Sequence, residues 1–197
     1  GGPEVGQTTV VGELFKRAGH AGLKVTLAAP TGRAAKRLSE STRRHASTIH
    51  RLLKWDPEAK GFVHNQDRPL KTDLLVLDEV SMVDAQLAQH LFRAVEPGTS
   101  VVLVGDVDQL PSVGPGNVLG DVIESGVCPV TRLRQIYRQD ADSRIIPNAH
   151  AVNAGHMPDI TTAPKGHLSD FYWISQDEPE KVVDDIVKMI AERIPKR

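Results

Sequence analysis

Three short stretches constrain this chain most: KVTLAAP (24–30), DLLVLDE (73–79) and SVVLVGD (100–106). Each is a near-continuous aliphatic run that ends in Pro, Asp or Gly. A strand wet on one face alternates apolar and polar residues, whereas a strand covered on both faces has no need to. The runs therefore predict strands of a parallel sheet buried on both sides. FYWI (171–174) is expected to add a fourth. Residues 7–19, 32–40, 45–54, 84–94, 116–125 and 142–154 read as helices between them, and β-α-β-α order implies an α/β fold with helices on both faces. Residues 55–72 are polar and rich in turn formers, which predicts a loop or small hairpin inserted before the second of the three runs. In 178–194, Val182, Val183, Ile186, Val187, Ile190 and Ile194 share one helical face, with Pro179 suited to the first turn. That face is expected to pack on a sheet.

The chain has 197 residues and is 40% hydrophobic, enough for one domain with a small appendage. No apolar run approaches the ~18 residues of a membrane span, and no signal-peptide pattern stands at the start. Cys128 is the only cysteine, so no internal disulfide can form, which fits a reducing cytoplasm. The eight histidines show no zinc-ligand spacing. Net charge is -1, but residues 33–54 hold seven Lys or Arg against the single acid Glu40. That segment is either a solvated helix face or a contact for a phosphate backbone.

The chain opens on GGPEVGQTT. Gly1, Gly6 and Thr8 have the spacing of a phosphate-binding loop, G-x-x-x-x-G-K-[ST], but Gln7 stands where lysine belongs. No strand precedes Gly1, although such a loop follows one. The sheet is therefore expected to lack that strand, as in a piece of a larger protein.

Candidate chemistry gathers at the strand ends. LLVLDEVSM (74–82) delivers Asp78 and Glu79 to the carboxyl edge, where open α/β sheets bind ligands. Nucleotide hydrolysis needs one carboxylate to hold Mg²⁺ and another to orient and deprotonate water. The alternative is a helix N-cap. Gly105-Asp106 ends the third run and Gln109 follows, placed to report a γ-phosphate or to sit in an ordinary glycine-rich loop. Arg138 could reach a γ-phosphate or form a surface ion pair. Thr31-Gly32 opens a basic helix whose N-H groups can meet an anion. His50 could stack on a nucleotide, though a lone histidine is more often structural.

Taken in order, GGPxxGxTT, APTGRAAKRL, STIHRLL, LLVLDEVSMVD, VVLVGDVDQLPSVGPGNVL and LRQIYRQ resemble the motifs of RecD-like DNA helicases of superfamily 1, the family of the exodeoxyribonuclease V alpha subunit. The resemblance runs from residue 1 to about 160, and the combination of DEVSM with GDxDQLPSVGPGxVL is specific. It implies a RecA-like P-loop fold using ATP and Mg²⁺ and acting on single-stranded DNA. Gly2, Pro3, Gly6, Gln7, Thr8 and Thr9 would form the phosphate loop. Thr8 and Asp78 would hold Mg²⁺, Glu79 would be the general base, Gln109 would sense the γ-phosphate and Arg138 would contact it. Thr31, Arg33, Thr48 and His50 would lie along the DNA. The expected division is a first motor domain over 1–160, with a strand and helix over 161–197 leading toward a second RecA-like domain. Nuclease-complex subunits are implied as possible partners, and no membrane is.

Two departures matter. Family members read close to GGPGTGKTT, but here Glu4 replaces a glycine and Gln7 the lysine. A charge-assisted lysine–phosphate bond is worth about 1.5–3 kcal/mol, or roughly 10- to 150-fold in binding. Weak or absent ATP binding is the expectation. The signatures of the second motor domain do not occur, which leaves a non-hydrolysing DNA- or partner-binding module as the alternative reading.

Overall fold

The computed structural model describes residues 7–58, 60–133, 143–161 and 169–193. All three aliphatic runs are strands: β1 (Val25–Ala29), β5 (Leu74–Leu77) and β6 (Ser100–Leu103). Between β1 and β5 lie β2 (Ala46–Thr48) and a small antiparallel hairpin, β3 (Trp55–Asp56) with β4 (Gly61–Phe62), where the polar insert was expected. The main sheet runs β2-β1-β5-β6, every pair parallel. Among the described residues no strand stands beyond β6, and its Val101 to Leu103 are only half-buried, whereas all of β5 is buried.

The period of two along each strand builds two cores. Leu75, Leu77 and Ala28 face one side, with Val101 and Leu103 packed against them. Leu74, Val76 and Leu27 face the other, with Val25, Val102 and Val104. Helices α3 (Ile49–Leu53), α4 (Ala85–Arg93) and α5 (Val118–Glu124) cover the first side through Ile49, Leu53, Leu91 and Leu119. Helices α1 (Gln7–His20) and α2 (Gly32–Thr42) cover the second through Val11 and Leu38, with Leu14 and Phe15 alongside. The chain is thus an α/β parallel sheet with helices on both faces, the RecA-like arrangement expected. Truncating a side chain as enclosed as Leu75, at 0% exposure, costs about 2–5 kcal/mol.

Three expectations fail. Residues 45–54 are not one helix. Ala46–Thr48 is a strand, held beside Leu27–Ala29 and by the Ala46 N-H donating to Ser39 Oγ at 2.9 Å. Thr48 is extended (φ -71°, ψ 152°) and caps α3, its hydroxyl accepting the Arg51 N-H at 3.3 Å. A β-branched residue that can cap suits this junction better than a helix interior. Residues 171–174 form no strand, and Tyr172, Trp173 and Ile174 are exposed. The last helix, α7 (Pro179–Lys188), passes into a π-helical turn at Met189–Arg193 and buries no residue. Its Val183, Val187 and Ile190 are exposed, so among the described residues nothing covers the face expected to pack on a sheet; Ile194 lies outside the described residues.

The chain divides into two compact units, Gly1–Arg138 and Gln139–Arg197. In the second unit, α6 (Ile145–Asn153) has no capping side chain of its own at Arg144. Asp170 supplies one from far along the chain. Its carboxylate accepts the Arg144 N-H at 2.8 Å and the Ser143 hydroxyl at 2.6 Å. Asn148, buried, exchanges two hydrogen bonds with the backbone of Asp159, at 2.7 and 3.1 Å.

Candidate active site

Strand β5 runs fully buried to Leu77 and surfaces at Asp78. The Asp78 N-H still donates to the Ala28 carbonyl at 2.9 Å, so this acid is fixed by the last rung of the β1–β5 ladder. Its Oδ1 accepts the Glu79 N-H at 3.0 Å. Glu79 then takes a left-handed backbone, φ 54° and ψ 41°. For a non-glycine residue that costs roughly 1–2 kcal/mol, and such strain collects at functional positions. The chain is pinned immediately afterwards, where the Val80 N-H donates to the Val104 carbonyl at 3.0 Å. The helix that follows is capped by Asp84, whose carboxylate accepts the Leu87 N-H at 2.7 Å. Capping therefore does not explain Asp78 or Glu79.

A cleft of about 400 Å³ opens beside the pair, walled by α2 through Ala34, Arg37, Leu38, Glu40 and Ser41. Arg37 Nη1 lies 3.9 Å from Glu79 Oε1. Burial holds the Asp78 carboxyl above its usual range, against the opposing pull of the Glu79 N-H and the Arg37 charge. Burial likewise raises Glu79; the charges of Asp78 and Asp106 push it further up and Arg37 opposes them. Asp106 is 2% exposed and accepts the Asp108 N-H at 3.2 Å. The site thus presses three carboxylates toward one another with one exposed guanidinium against them. Among the described residues no three acids, histidines or cysteines cluster as a ready-made metal cage; a single carboxylate such as Asp78, with a hydroxyl and waters, is what Mg²⁺ beside a phosphate asks of a protein.

Sequence reasoning passed over Asp106 as a contributor to this site, and Arg37 as a member of it. Asp106 was within reach of periodicity: Leu77 pairs with Leu103, so the ends of β5 and β6 are level. Ser81 is buried, and its hydroxyl is an unpaired polar atom among the described residues. Gly105 packs so closely here that a Cβ would stand 2.8 Å from Leu119 Cδ2 and 3.2 Å from the Val80 and Ser81 nitrogens.

Of the remaining expected residues, Gly2, Pro3, Gly6 and Arg138 lie outside the described residues. Gln7, Thr8 and Thr9 begin α1. Gln109 is exposed in a turn, its N-H donating to the Asp106 carbonyl at 3.3 Å. Thr31 caps α2, accepting the Ala34 N-H at 3.2 Å, as Thr48 caps α3. Because Ala29 pairs with Thr48 and Ala28 with Leu77, both helix starts stand at the sheet edge that carries Asp78. Each hydroxyl keeps its own proton to donate. Arg33 is exposed. The His50 ring lies 5.7 Å from Phe62, which also meets Trp55 and His90 at 5.1 Å, so His50 belongs to an aromatic cluster at the hairpin.

The AAA domain family matches residues 1–115. The chain is 46% identical over 158 residues to the ATP-dependent RecD2 DNA helicase of Deinococcus radiodurans, covering 80% of this chain and 22% of that protein. The chain belongs to the RecD-like helicases of superfamily 1. The RecD subunit of the RecBCD enzyme of Mycolicibacterium smegmatis is 34% identical over 212 residues, covering 95% of this chain and 38% of that one. The chain thus spans well under half the length of these RecD relatives and corresponds to a motor domain of the family. A solved structure of Pif1 helicases, 24% identical, matches the fold with a TM-score of 0.52 over 79% of this chain and 43% of that one.

Proposed function

We propose that this RecD-like chain is the first motor domain of an ATP-dependent helicase, which in its parent protein couples ATP hydrolysis to movement on single-stranded DNA. The observation that carries this is the Asp78–Glu79 pair at the carboxyl end of β5, with Glu79 held in a left-handed backbone beside buried Asp106. Glu79 would take the proton of the attacking water. Its raised pKa makes it a stronger base toward that proton. Asp78, with Thr8, would hold Mg²⁺, which when bound draws charge from the phosphate oxygens. Gln109 would sense the γ-phosphate and Arg138 contact it. Thr31, Arg33 and Thr48 would lie along the DNA, with His50 beside them.

Movement needs a second RecA-like domain closing on the nucleotide. That domain is the first partner proposed, and the subunits of a nuclease complex are others. Among the described residues no helix is long and apolar enough to cross a membrane. Together with the lone free Cys128, a cytoplasmic location is proposed.

Gln7 favours a second reading, a module that binds DNA or a partner without hydrolysis. The two separate by calorimetric titration with ATP and Mg²⁺. The unaltered chain should bind weakly or not at all, and Gln7→Lys with Glu4→Gly should bind about 10-fold tighter or better. Micromolar binding by the unaltered chain contradicts the reading of the loop. A paired substitution without effect favours the non-hydrolysing module.

A further inference from the structure

Strand β2 has three residues, and its pairing with β1 begins only at Leu27. Lys24 and Ala28 turn their carbonyls toward β5, where they accept from Leu74 and Asp78 at 3.2 and 2.9 Å. By alternation Val25 turns its N-H and carbonyl the other way, to an edge that β2 does not reach. A groove of about 1000 Å³ fills that edge. It runs from Lys24, at the amino end of β1, to Thr48, level with its last residue Ala29, and Gly32 beyond, or roughly 16 Å along the strand.

Five cations line it: Lys24, Lys36, Arg51, Lys54 and Lys71. His45 and His64 join them, and no Asp or Glu does. Lys71 is held by Glu96 at 2.7 Å and Lys36 reaches Glu40 at 3.8 Å. Among the described residues Lys24, Arg51 and Lys54 have no ion pair. The basic segment of residues 33–54 supplies only part of this set. Arg37 points to Glu79 and Arg44 lies over the Phe15 ring at 5.3 Å, while Lys24 and Lys71 arrive from elsewhere in the chain. Gathering like charges along one groove is unfavourable unless a partner supplies the opposite sign at intervals. A phosphate backbone does so.

We infer that this groove binds the sugar-phosphate backbone of single-stranded nucleic acid and carries the DNA track past Thr48, along the free edge of β1. The inference rests on the proposed placement of Thr48 against DNA and adds Lys24, Arg51 and Lys54 to the contacts. The competing occupant is an acidic protein strand added to the same edge.

The test is fluorescence anisotropy of a labelled 15-nucleotide oligo-dT across a salt series without nucleotide. The proteins are the unaltered chain, Lys24→Gln/Arg51→Gln/Lys54→Gln, and Thr31→Ala/Arg33→Ala. Three lost phosphate contacts should lower the salt slope by about 2 and weaken Kd on the order of 10- to 100-fold near 0.1 M salt. Lys24→Arg/Lys54→Arg should bind as the unaltered chain does. Unchanged slope and affinity in the glutamine variant overturn the groove. If Thr31→Ala/Arg33→Ala loses binding while the glutamine variant keeps it, the track stands and the groove alone fails. An unaltered chain that binds no oligonucleotide overturns both. Labelled poly-glutamate bound as tightly as the oligonucleotide overturns the choice of nucleic acid.

Discussion

Arg37 Nη1 stands 3.9 Å from Glu79 Oε1, at the wall of the cleft between α2 and the end of β5. The helix whose first turn is expected on DNA therefore also carries a cation placed against the expected base. Arg37 is 71% exposed, so the pair itself is worth under about 1 kcal/mol. Its weight is electrostatic: it opposes the burial and like charge that raise both acids.

That balance sets a pH dependence. Both acids bind protons more readily folded than unfolded, so they destabilise the fold above their raised pKa and not below the unfolded value of ~4. In the presence of a chelator, Asp78→Asn should raise the melting temperature by about 2–4 °C at pH 7.5 and leave it unchanged at pH 4. Arg37→Ala should lower it at pH 7.5 only. Calorimetric melts at the two pH values check both; a gain of equal size at both refutes the electrostatic cause.

The left-handed backbone of Glu79 separates shape from chemistry. Glu79→Gly should be more stable than Glu79→Ala by about 1 kcal/mol in urea unfolding, because only glycine adopts φ 54° without strain. Equal stabilities would mean that the strain is absent.

Ser81 holds a buried hydroxyl unpaired among the described residues. Ser81→Ala should therefore be neutral or stabilising by up to about 1–2 kcal/mol in urea unfolding, against the usual sign for a core polar deletion. A loss of more than ~1 kcal/mol would show that the hydroxyl has a partner.

In the second unit the sign reverses. The Ser143 hydroxyl and the Arg144 N-H hold Asp170 below the usual carboxylate range. The cap on α6 is thus present above the unfolded value of ~4 and lost as pH falls below it. Asp170→Ala should speed amide exchange in the first turn of α6 several-fold at pH 7. Unchanged exchange would mean that the turn stands without Asp170.

Much of the motor unit was legible because its signals are local. An unbroken aliphatic run marks a doubly covered strand wherever it falls, and Asp78 and Glu79 sit at the end of one. β2 was not legible: three residues carry no period, and only pairing with Leu27–Ala29 makes Ala46–Thr48 a strand. FYWI has strand composition, yet no neighbour in the described structure offers it a ladder. The apolar stripe of α7 correctly marks a helix but cannot say what covers it. The convergence of Lys24, Lys54 and Lys71 is a tertiary fact, created where β2 stops short, and no window of sequence contains it.

The central claim is that the carboxylates ending β5 serve a nucleotide-phosphate site. Its most direct test is ATP titration of the Gln7→Lys/Glu4→Gly chain, with and without Mg²⁺, in the presence and absence of Asp78→Asn. Mg²⁺ should tighten ATP binding about 10-fold or more, and Asp78→Asn should abolish the tightening while leaving Mg²⁺-free binding within about twofold. An Mg²⁺ effect that survives Asp78→Asn unchanged would contradict the central claim.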